Sequence, residues 1–370
     1  MSSACPPSRI GHVAAVVNDV MLLWGGISVK STGDEYECSP DVIECFDLLT
    51  RQWYRRQAKS NSPSDMPHPC SDSRIGVVQN RDIYQFGGSY SSFGRRAFSN
   101  ALHKLDGLTL EWERIVPENQ STPTGRSHHG VCVLGKEGDE RLVLMGGLGA
   151  NVSSKPKEAQ FFPNPVDPSE GWNNEVWLFS PQKRTAILAQ CTGNKPCPRQ
   201  GHSFTAVDVN QAILIGGNNG MPVFCDVFLF GLNSLEWIEL KLDHPLIPRF
   251  LHSTVVVNIP ALGGPVAFVL WGYGEERFPL SRAQMIIIRS QKCNMVEISG
   301  EPAPTGFQSV CSVVNKRGFL YFFRFGGSPH QLDGAPPEAL LDILKYDLKD
   351  DSGKLFCHGL SGPYEQEVSK

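Results

Sequence analysis

The stretch Met21–Gly26, MLLWGG, ends an apolar run on two consecutive glycines, and the same arrangement recurs along the chain. The copies are IYQFGG ending at Gly88, LVLMGG at Gly147, AILIGG at Gly217 and YFFRFGG at Gly327, with a degenerate copy, FVLWGYG, at Gly272 and Tyr273. The six copies lie 54 to 70 residues apart. Self-similarity at a period of about 50 residues is typical of architectures that grow by adding one repeated unit.

A second recurring element lies upstream of each glycine pair and carries an arginine, in most copies with a histidine three residues later. Its copies are SRIGH with Arg9 and His12, SRIGV with Arg74, GRSHH with Arg126 and His129, PRQGH with Arg199 and His202, and PRFLH with Arg249 and His252. The sixth, PTGFQS, has neither residue. Because the arginines recur at one repeat position, we expect them to form a repeated structural bond to carbonyl groups between neighbouring units.

The strand pattern predicts four antiparallel strands in each unit. HVAAVV and VMLLW flank Asn18-Asp19, a pair of residues typical of a two-residue hairpin turn. A third β-rich run such as DVIECFD follows each glycine pair, and in three units a tryptophan marks a fourth strand, at Trp53, Trp112 and Trp237. One small sheet cannot bury both of its faces, so such units pack face to face around an axis until the ring closes.

The sequence therefore predicts an all-β fold, a six-bladed β-propeller that forms a single domain over residues 8–358. The predicted blades cover residues 8–72, 73–124, 125–197, 198–247, 248–303 and 304–358, and residues 359–370 are a polar C-terminal tail. The 36 glycines and 27 prolines agree with a turn-rich globular protein.

Charge and cysteine usage limit the classes of partner. The 34 Lys and Arg residues and 38 Asp and Glu residues give a net charge of −4, so we expect no nucleic acid partner. The 11 cysteines contain no CxxC pair, which argues against a zinc site or a disulfide scaffold. No run of about 18 apolar residues occurs, so we expect no membrane partner. These features favour the cytoplasm, and a nuclear location is also compatible with them.

The repeats resemble those of kelch-repeat β-propellers. Within that family the chain is similar to kelch domain-containing proteins that act as substrate receptors of cullin-RING ubiquitin ligases. The resembling stretches are ACPPSRIGHVAAV followed by WGG, LEWERI at 110–115, EGWNNEVWLF at 170–179 and PLSRAQ at 279–284. The resemblance implies recognition of C-terminal peptide degrons by arginines that follow the fourth glycine pair. Here Asn218 and Val223 occupy those positions, and neither offers a charged fork to a carboxylate.

The resemblance also implies a ligase adaptor as a partner, because receptors of this family dock on the adaptor through a C-terminal helix. The last residues here, GLSGPYEQEVSK, are too few and too polar for such a helix. We therefore expect either a fragment or a protein that works without that adaptor. The general expectation is a protein or peptide partner, with the ligase adaptor as an open alternative.

Strand connectivity indicates where a ligand would bind. The start of the first strand and the end of the second lie at the same end of an antiparallel hairpin, so the flanking residues share one face. Around the central opening of that face we place ten candidate ligand-binding residues: Tyr90, Arg126, His128, Leu148, Trp172, Asn218, Asn219, Arg249, Phe250 and Tyr273. Aromatic, amide and basic groups together are typical of a peptide-binding concavity. Trp172 could be a ligand wall or a loop anchor, and the two asparagines could be turn formers.

Catalytic motifs are missing from the sequence. A kelch-type copper oxidase needs two tyrosines and two histidines on the axis, and no such histidines accompany Tyr84, Tyr90, Tyr273 and Tyr321. No GxSxG, HExxH or P-loop occurs. The sequence thus predicts a non-enzymatic protein-binding or peptide-binding module without cofactor or metal. The alternatives are a ubiquitin-ligase substrate receptor and, as a different class, a kelch-type enzyme.

Overall fold

The computed structural model describes residues 6–7, 9–29, 34–151, 160–276, 280, 282–299, 309–316, 319–325, 341–347 and 354–359. Within these ranges the chain is all-β, as predicted, and the helical elements are the two 3-10 turns Pro63–Asp65 and Pro260–Leu262. No helix of the described ranges is long and apolar enough to cross a membrane. The predicted C-terminal tail lies outside the described residues, apart from Gly359.

Six four-stranded antiparallel units follow one another in the described ranges, and the strands of each unit lie side by side in chain order, with short additional strands between the second and third strands of units 1 to 3. Units 1 to 3 consist of Val13–Val17, Val20–Trp24, Val42–Asp47 and Trp53–Gln57; Arg74–Val78, Asp82–Phe86, Leu102–Asp106 and Glu111–Ile115; and Gly130–Leu134, Arg141–Met145, Val176–Ser180 and Thr185–Leu188. Units 4 to 6 consist of Ser203–Ala206, Gln211–Ile215, Val227–Gly231 and Glu236–Glu239; Ser253–Ile259, Gly264–Leu270, Ala283–Ile287 and Lys292–Ser299; and Ser309–Lys316, Phe319–Phe325, Leu341–Asp347 and Lys354–Gly359.

Parallel pairing joins the units at their outer strands. Lys59–Ser60, which follows unit 1, pairs with the fourth strand of unit 2, and Thr192–Gly193, which follows unit 3, pairs with the fourth strand of unit 4. The fourth strands of units 5 and 6 pair directly, from Glu297 to Ser299, and form one eight-stranded sheet. These links cover strand edges that would otherwise be open to pairing with other chains.

The turns agree with the sequence pattern. Val17 pairs with Val20 across Asn18 and Asp19, whose φ angles of 47° and 61° are those of a two-residue hairpin turn. After the second strand the chain turns sharply, and a Cβ on Gly26 would lie 2.5 Å from the carbonyl oxygen of Ile10. In unit 5 the pair that turns is Trp271-Gly272, with φ of 54° and 87°, and not Gly272-Tyr273 as expected.

Short strands outside the units shape the ends of the sheets. Three small sheets and hairpins contain Arg9–Ile10, Ile27–Val29 and Glu35–Glu37; Ser89–Ser92 and Arg95–Phe98; and Arg126–Ser127, Leu148–Ala150, Phe161–Pro163 and Glu170–Asn173. All of them follow a glycine pair or precede a first strand, so they gather on the face where the sequence placed the candidate site.

Five clusters of the described apolar core each lie between two consecutive units. Trp112 of unit 2 belongs to the cluster shared with unit 1, and Trp237 of unit 4 to the cluster shared with unit 3. The ring of Phe325 in unit 6 lies 5.3 Å from that of Trp53 in unit 1, within a sixth cluster. The first strand of each unit contacts the first strand of the next, and that of unit 6 also contacts that of unit 1.

Candidate functional site

A row of backbone hydrogen bonds links units 1 to 5 at the entry to their first strands. The N–H of Asp72 donates to the carbonyl of Gly11 at 2.7 Å, and that of His128 donates to Asp72 at 3.2 Å. The N–H of Gly201 donates to His128 at 2.9 Å, and that of Leu251 donates to Gly201 at 2.6 Å. We call these five residues the belt. Each link joins one unit to the next, so the belt holds the mouth of the central opening in one shape.

All five belt residues have a left-handed backbone, with φ between 52° and 64°. Glycine adopts this conformation freely, but Asp72, His128 and Leu251 carry side chains that make it unfavourable. Backbone outliers of this kind persist where the surrounding structure fixes them. Here belt hydrogen bonds on both sides of Asp72 and His128, and the bond from the N–H of Leu251, do so. The side chains at these three positions are therefore held in fixed directions at the mouth.

A rim surrounds the belt. In each of units 1 to 5 the residue before the belt residue pairs with the first residue after the glycine pair. These rim pairs are Ile10 with Ile27, Ser71 with Ser89, Ser127 with Leu148, Gln200 with Asn218, and Phe250 with Tyr273. The structure thus brings together the two segments that the sequence placed on one face.

Two candidate ligand-binding residues, Arg126 and Arg249, lie beneath this face with 0% of their surface exposed. The guanidinium of Arg126 donates to the carbonyl oxygen of Gly146 at 3.1 Å, and that of Arg249 donates to Trp271 at 3.1 Å. Arg199 donates to Gly216 in the same way, at 3.0 Å. The repeated bond to a carbonyl is confirmed, but the carbonyl belongs to the arginine's own unit, at the first residue of the glycine pair, and not to the boundary between units.

The charge partners of the buried arginines differ between units. Arg126 donates to the carboxylate of Glu175 in unit 3, whereas in unit 5 the amide oxygen of Gln284 accepts from Arg249 at 2.9 Å. Burial raises the pKa of Glu175, but Arg126 outweighs this and leaves the pKa below its usual value. Burial lowers the pKa of Arg249 to about 10. Unit 3 therefore holds a buried ion pair, and unit 5 holds a cation on a neutral partner.

The recurring histidines pack against the glycine pair of the preceding unit. A Cβ on Gly87 would lie 2.8 Å from the ring of His129, and one on Gly216 would lie 3.3 Å from the ring of His252. Burial, reinforced by nearby arginines, lowers the pKa of His202 to about 3 and that of His129 well below 6.5. These imidazoles are therefore neutral packing elements between units.

In unit 2 the structure corrects the match between repeats that the sequence indicated. Cys70, not Arg74, occupies the position of the structural arginines, because its carbonyl accepts from Gly26 at 2.9 Å as that of Arg126 accepts from Gly88 at 2.9 Å. Arg74 is the first residue of the first strand, where units 1, 3, 4 and 5 have Val13, Gly130, Ser203 and Ser253. The stretch SRIGV resembles the repeated motif, but its arginine lies four residues after the position of the structural arginines. Variation in the loop lengths between units hides this shift in the sequence.

Five candidates are half-buried: His128 on the belt, Phe250 and Tyr273 on the rim, and Tyr90 and Asn219, each of which directly follows a rim residue. The rings of Phe250 and Tyr273 lie 5.7 Å apart, and that of Tyr90 lies 4.4 Å from His68. The Nε2 atom of His128 is 3.4 Å from Oδ1 of Asp72. Burial lowers the pKa of His128, and the negative charge of Asp72 opposes part of that shift.

The other three candidates are buried: Leu148 and Trp172 are 4% exposed, and Asn218 is 7% exposed. Trp172 pairs with Leu148 across two short strands, and a Cβ on Gly220 would lie 3.1 Å from its ring. The indole is therefore covered by the loop that follows the glycine pair of unit 4. Of its two possible roles, this geometry favours the loop anchor.

The sequence reasoning missed Asp72, Gln200 and Leu251, all of which are on the belt or the rim. A signal for two of them was present, since Gln200 and Leu251 lie one and two residues after a recurring arginine. Asp72 could not be found in this way, because unit 2 has a cysteine where that arginine would be.

Comparison with known proteins assigns these repeats to a family. The family model of the KLHDC2/KLHL20/DRC7 Kelch-repeats domain matches residues 11–264. The chain belongs to this kelch-repeat family. The match confirms the resemblance seen in the repeats, and domains of this family are typically non-enzymatic modules that bind protein partners.

Several kelch proteins are similar to the chain at moderate identity. Kelch domain-containing protein 2 of Bos taurus is 28% identical over 296 residues, which cover 76% of this chain and 67% of that protein. Host cell factor homolog hcf-1 of Caenorhabditis elegans is 27% identical over 264 residues, 68% of this chain and 30% of that protein. Human Kelch domain-containing protein 3 is 26% identical over 278 residues, 73% of this chain and 65% of that protein. The chain thus spans less than two thirds of the length of several relatives.

Proposed function

We propose that the chain is a non-enzymatic interaction module that binds a peptide, or an exposed segment of a partner protein, on the face formed by the belt and the rim. The observation that carries this proposal is the juxtaposition of half-buried aromatic side chains with a hydrogen-bonded mouth. The belt keeps the mouth in one shape, so a ligand would not have to order it on binding. We place the protein in the cytoplasm or nucleus, where thiols stay reduced, because eight of the described cysteines, from Cys38 to Cys293, are free.

The rim and the residues next to it offer apolar surface together with polar groups that can orient a ligand. Two tilted ring pairs supply apolar surface, Phe250 with Tyr273 in unit 5 and Tyr90 with His68 beside unit 2. Between them, Gln200 and His128 supply hydrogen-bonding groups that can orient a peptide backbone. Recognition loops on a rigid scaffold are common in repeat proteins. The described parts of the loops that follow the glycine pairs of units 2 to 4 are arranged in this way.

We also propose that the six units close into one six-bladed propeller. The contact between the first strands of units 6 and 1, and the packing of Phe325 against Trp53, support closure. A closed ring would give the belt a complete circuit and leave the face with one central opening. The blade boundaries that the sequence indicates, from residue 8 to residue 358, remain predictions.

A substrate receptor of a cullin-RING ligase is the alternative within the same class. It would require a cationic clamp for a C-terminal carboxylate, but Val223 is 6% exposed and pairs with Asn218, and neither carries a charge. We therefore expect a ligand peptide to bind equally well with a free and an amidated C-terminus. A loss of ten-fold or more on amidation, about 1.4 kcal/mol, would favour the receptor instead.

A double variant on the rim, compared with a control variant on the opposite side of the protein, tests the proposed binding face. We expect the double variant Phe250→Ala, Tyr273→Ala to lose partners that the wild type captures from a lysate, as quantified by mass spectrometry. Leu49→Ala is the matched control, because Leu49 is 72% exposed on a turn between the third and fourth strands of unit 1, away from the rim. The affinity of one purified partner then decides: unchanged binding by the double variant would refute the proposed face.

A further inference from the structure

A cavity of about 250 Å³ lies between the belt and the first strands of units 1 to 5. Belt residues such as Gly11, Gly201 and Leu251 line it at the mouth. Several hydroxyl residues line the rest of it: Ser73, Ser203, Thr205, Ser253 and Thr254. The wall is therefore polar, although the first strands themselves are largely apolar.

Among the described residues that line this cavity, Arg74 is the one lysine or arginine. Its guanidinium donates to the carbonyl oxygen of Ser73 at 3.0 Å. Over the described ranges of the chain it forms no ion pair, although four other arginines on this side of their units, Arg9, Arg96, Arg126 and Arg199, do. Asp72, the acidic residue in the lining, is directed to His128, with Oδ1 at 3.4 Å from Nε2.

The positive charge of Arg74 acts on the imidazoles around the mouth. It contributes, after burial, to lowering the pKa of His12, His128 and His202, so its charge lies close to all three rings. These rings stay neutral at physiological pH and do not neutralise it. Burial lowers the pKa of the half-buried Arg74, and the negative charge of Asp72 opposes only part of that shift. The charge of the guanidinium is therefore incompletely balanced, and a bound anion would complete the balance.

We propose that the cavity is a binding site for a small oxyanion, with Arg74 as its charged ligand. The planar fork of a guanidinium matches two oxygens of a phosphate or carboxylate group. The hydroxyl groups in the lining can donate to the remaining oxygens. The site lies at the first residue of a first strand, inside the opening, and so differs in place from the rim on which the proposed peptide site rests.

Titration of the full chain with inorganic phosphate and, separately, with acetate tests the site, with chloride keeping the ionic strength constant. For the wild type we expect saturable binding by calorimetry and a rise in melting temperature. Arg74→Gln should weaken binding by at least about ten-fold, and Arg74→Lys should weaken it less, because lysine keeps the charge but not the fork. Arg95→Gln is the control, because Arg95 is exposed on the hairpin of the same unit.

Equal phosphate affinity of the wild type and Arg74→Gln would overturn the proposal, as would non-saturable binding by the wild type. Should Arg74→Gln fail to fold, the Nε–H resonance of Arg74 in the wild type, assigned by its loss in Arg74→Lys, gives the answer. A saturable shift of that resonance with phosphate supports the site, and an unmoved resonance refutes it. A response to phosphate and not to acetate would show that the site requires a tetrahedral anion, and the reverse result would assign it to carboxylates. Neither result depends on the peptide site of the rim.

Discussion

Units 2 and 3 each have an arginine near the entry to the first strand, and the two residues have opposite surroundings. Arg126 of unit 3 is fully buried and donates to its own unit, including the carboxylate of Glu175. Arg74 of unit 2 stands four repeat positions later and lines the central cavity without an ion pair among the described residues. The same residue type therefore supports the fold in one register and is available to a ligand in the other.

A second contrast exists among the structural arginines. Unit 3 balances its arginine with Glu175, and unit 5 uses Gln284 at the equivalent point of contact. An amide can accept the hydrogen bond of a guanidinium but supplies no charge. If charge and hydrogen bonding contribute separately to stability, substitutions in unit 3 should separate the two contributions. A substitution of the arginine in unit 2 should change neither of them.

The largest effect is expected from Arg126→Met. The substitution leaves Glu175, which is 6% exposed, without its charge partner in the interior. Breaking a buried pair in this way costs about 3–5 kcal/mol of unfolding free energy. Urea denaturation measures the loss, and the double variant Arg126→Met, Glu175→Gln should recover part of it because no buried charge remains. A double variant less stable than the single one would show that the charge is not the cause.

Glu175→Gln should cost less, about 1–3 kcal/mol, because the amide still accepts a hydrogen bond from Arg126. The change makes unit 3 imitate the contact between Arg249 and Gln284 in unit 5. Urea denaturation of the two single variants on the same day gives the comparison. A cost equal to that of Arg126→Met would mean that unit 5 is not a valid model for a neutral partner.

The histidines predict how stability depends on pH. Burial lowers the pKa of His12 and His202 to about 3, so the folded chain keeps these rings neutral while the unfolded chain protonates them below about 6.5. The contribution is complete above pH 6.5 and is lost as pH falls, by up to about 1.4 kcal/mol per ring and pH unit. His202→Ser, which imitates Ser73 of unit 2, should flatten the dependence between pH 6.5 and 5. An unchanged slope in His202→Ser would contradict the assignment.

The smallest effect on stability is expected from Arg74→Gln. Its guanidinium has no ion pair among the described residues, so its removal should change the free energy of unfolding by less than about 1 kcal/mol, or raise it. The measurement is the same urea denaturation, in chloride buffer without phosphate. A loss as large as that of Arg126→Met would erase the distinction between units 2 and 3.

Local pattern was enough to predict the repeats, the all-β class, the hairpin turn at Asn18 and Asp19, and the face on which the flanking segments meet. Each of these follows from short-range rules, because strand alternation, turn chemistry and hairpin geometry depend on neighbouring residues. The same rules could not separate exposed from buried candidates. Tyr90 and Phe250 are half-buried on the face, whereas Trp172 and Arg126 lie beneath it.

The sequence by itself determined that this chain is a kelch-type repeat protein, since the glycine pairs and the arginine and histidine positions recur in one order. Only the tertiary structure decided which residue has which role. The belt joins residues from five units, from Gly11 to Leu251, and the register of unit 2 is visible only in the bond between Gly26 and Cys70. Such contacts depend on how distant segments pack, because burial and hydrogen bonding between units are properties of the assembled sheets and not of any one repeat.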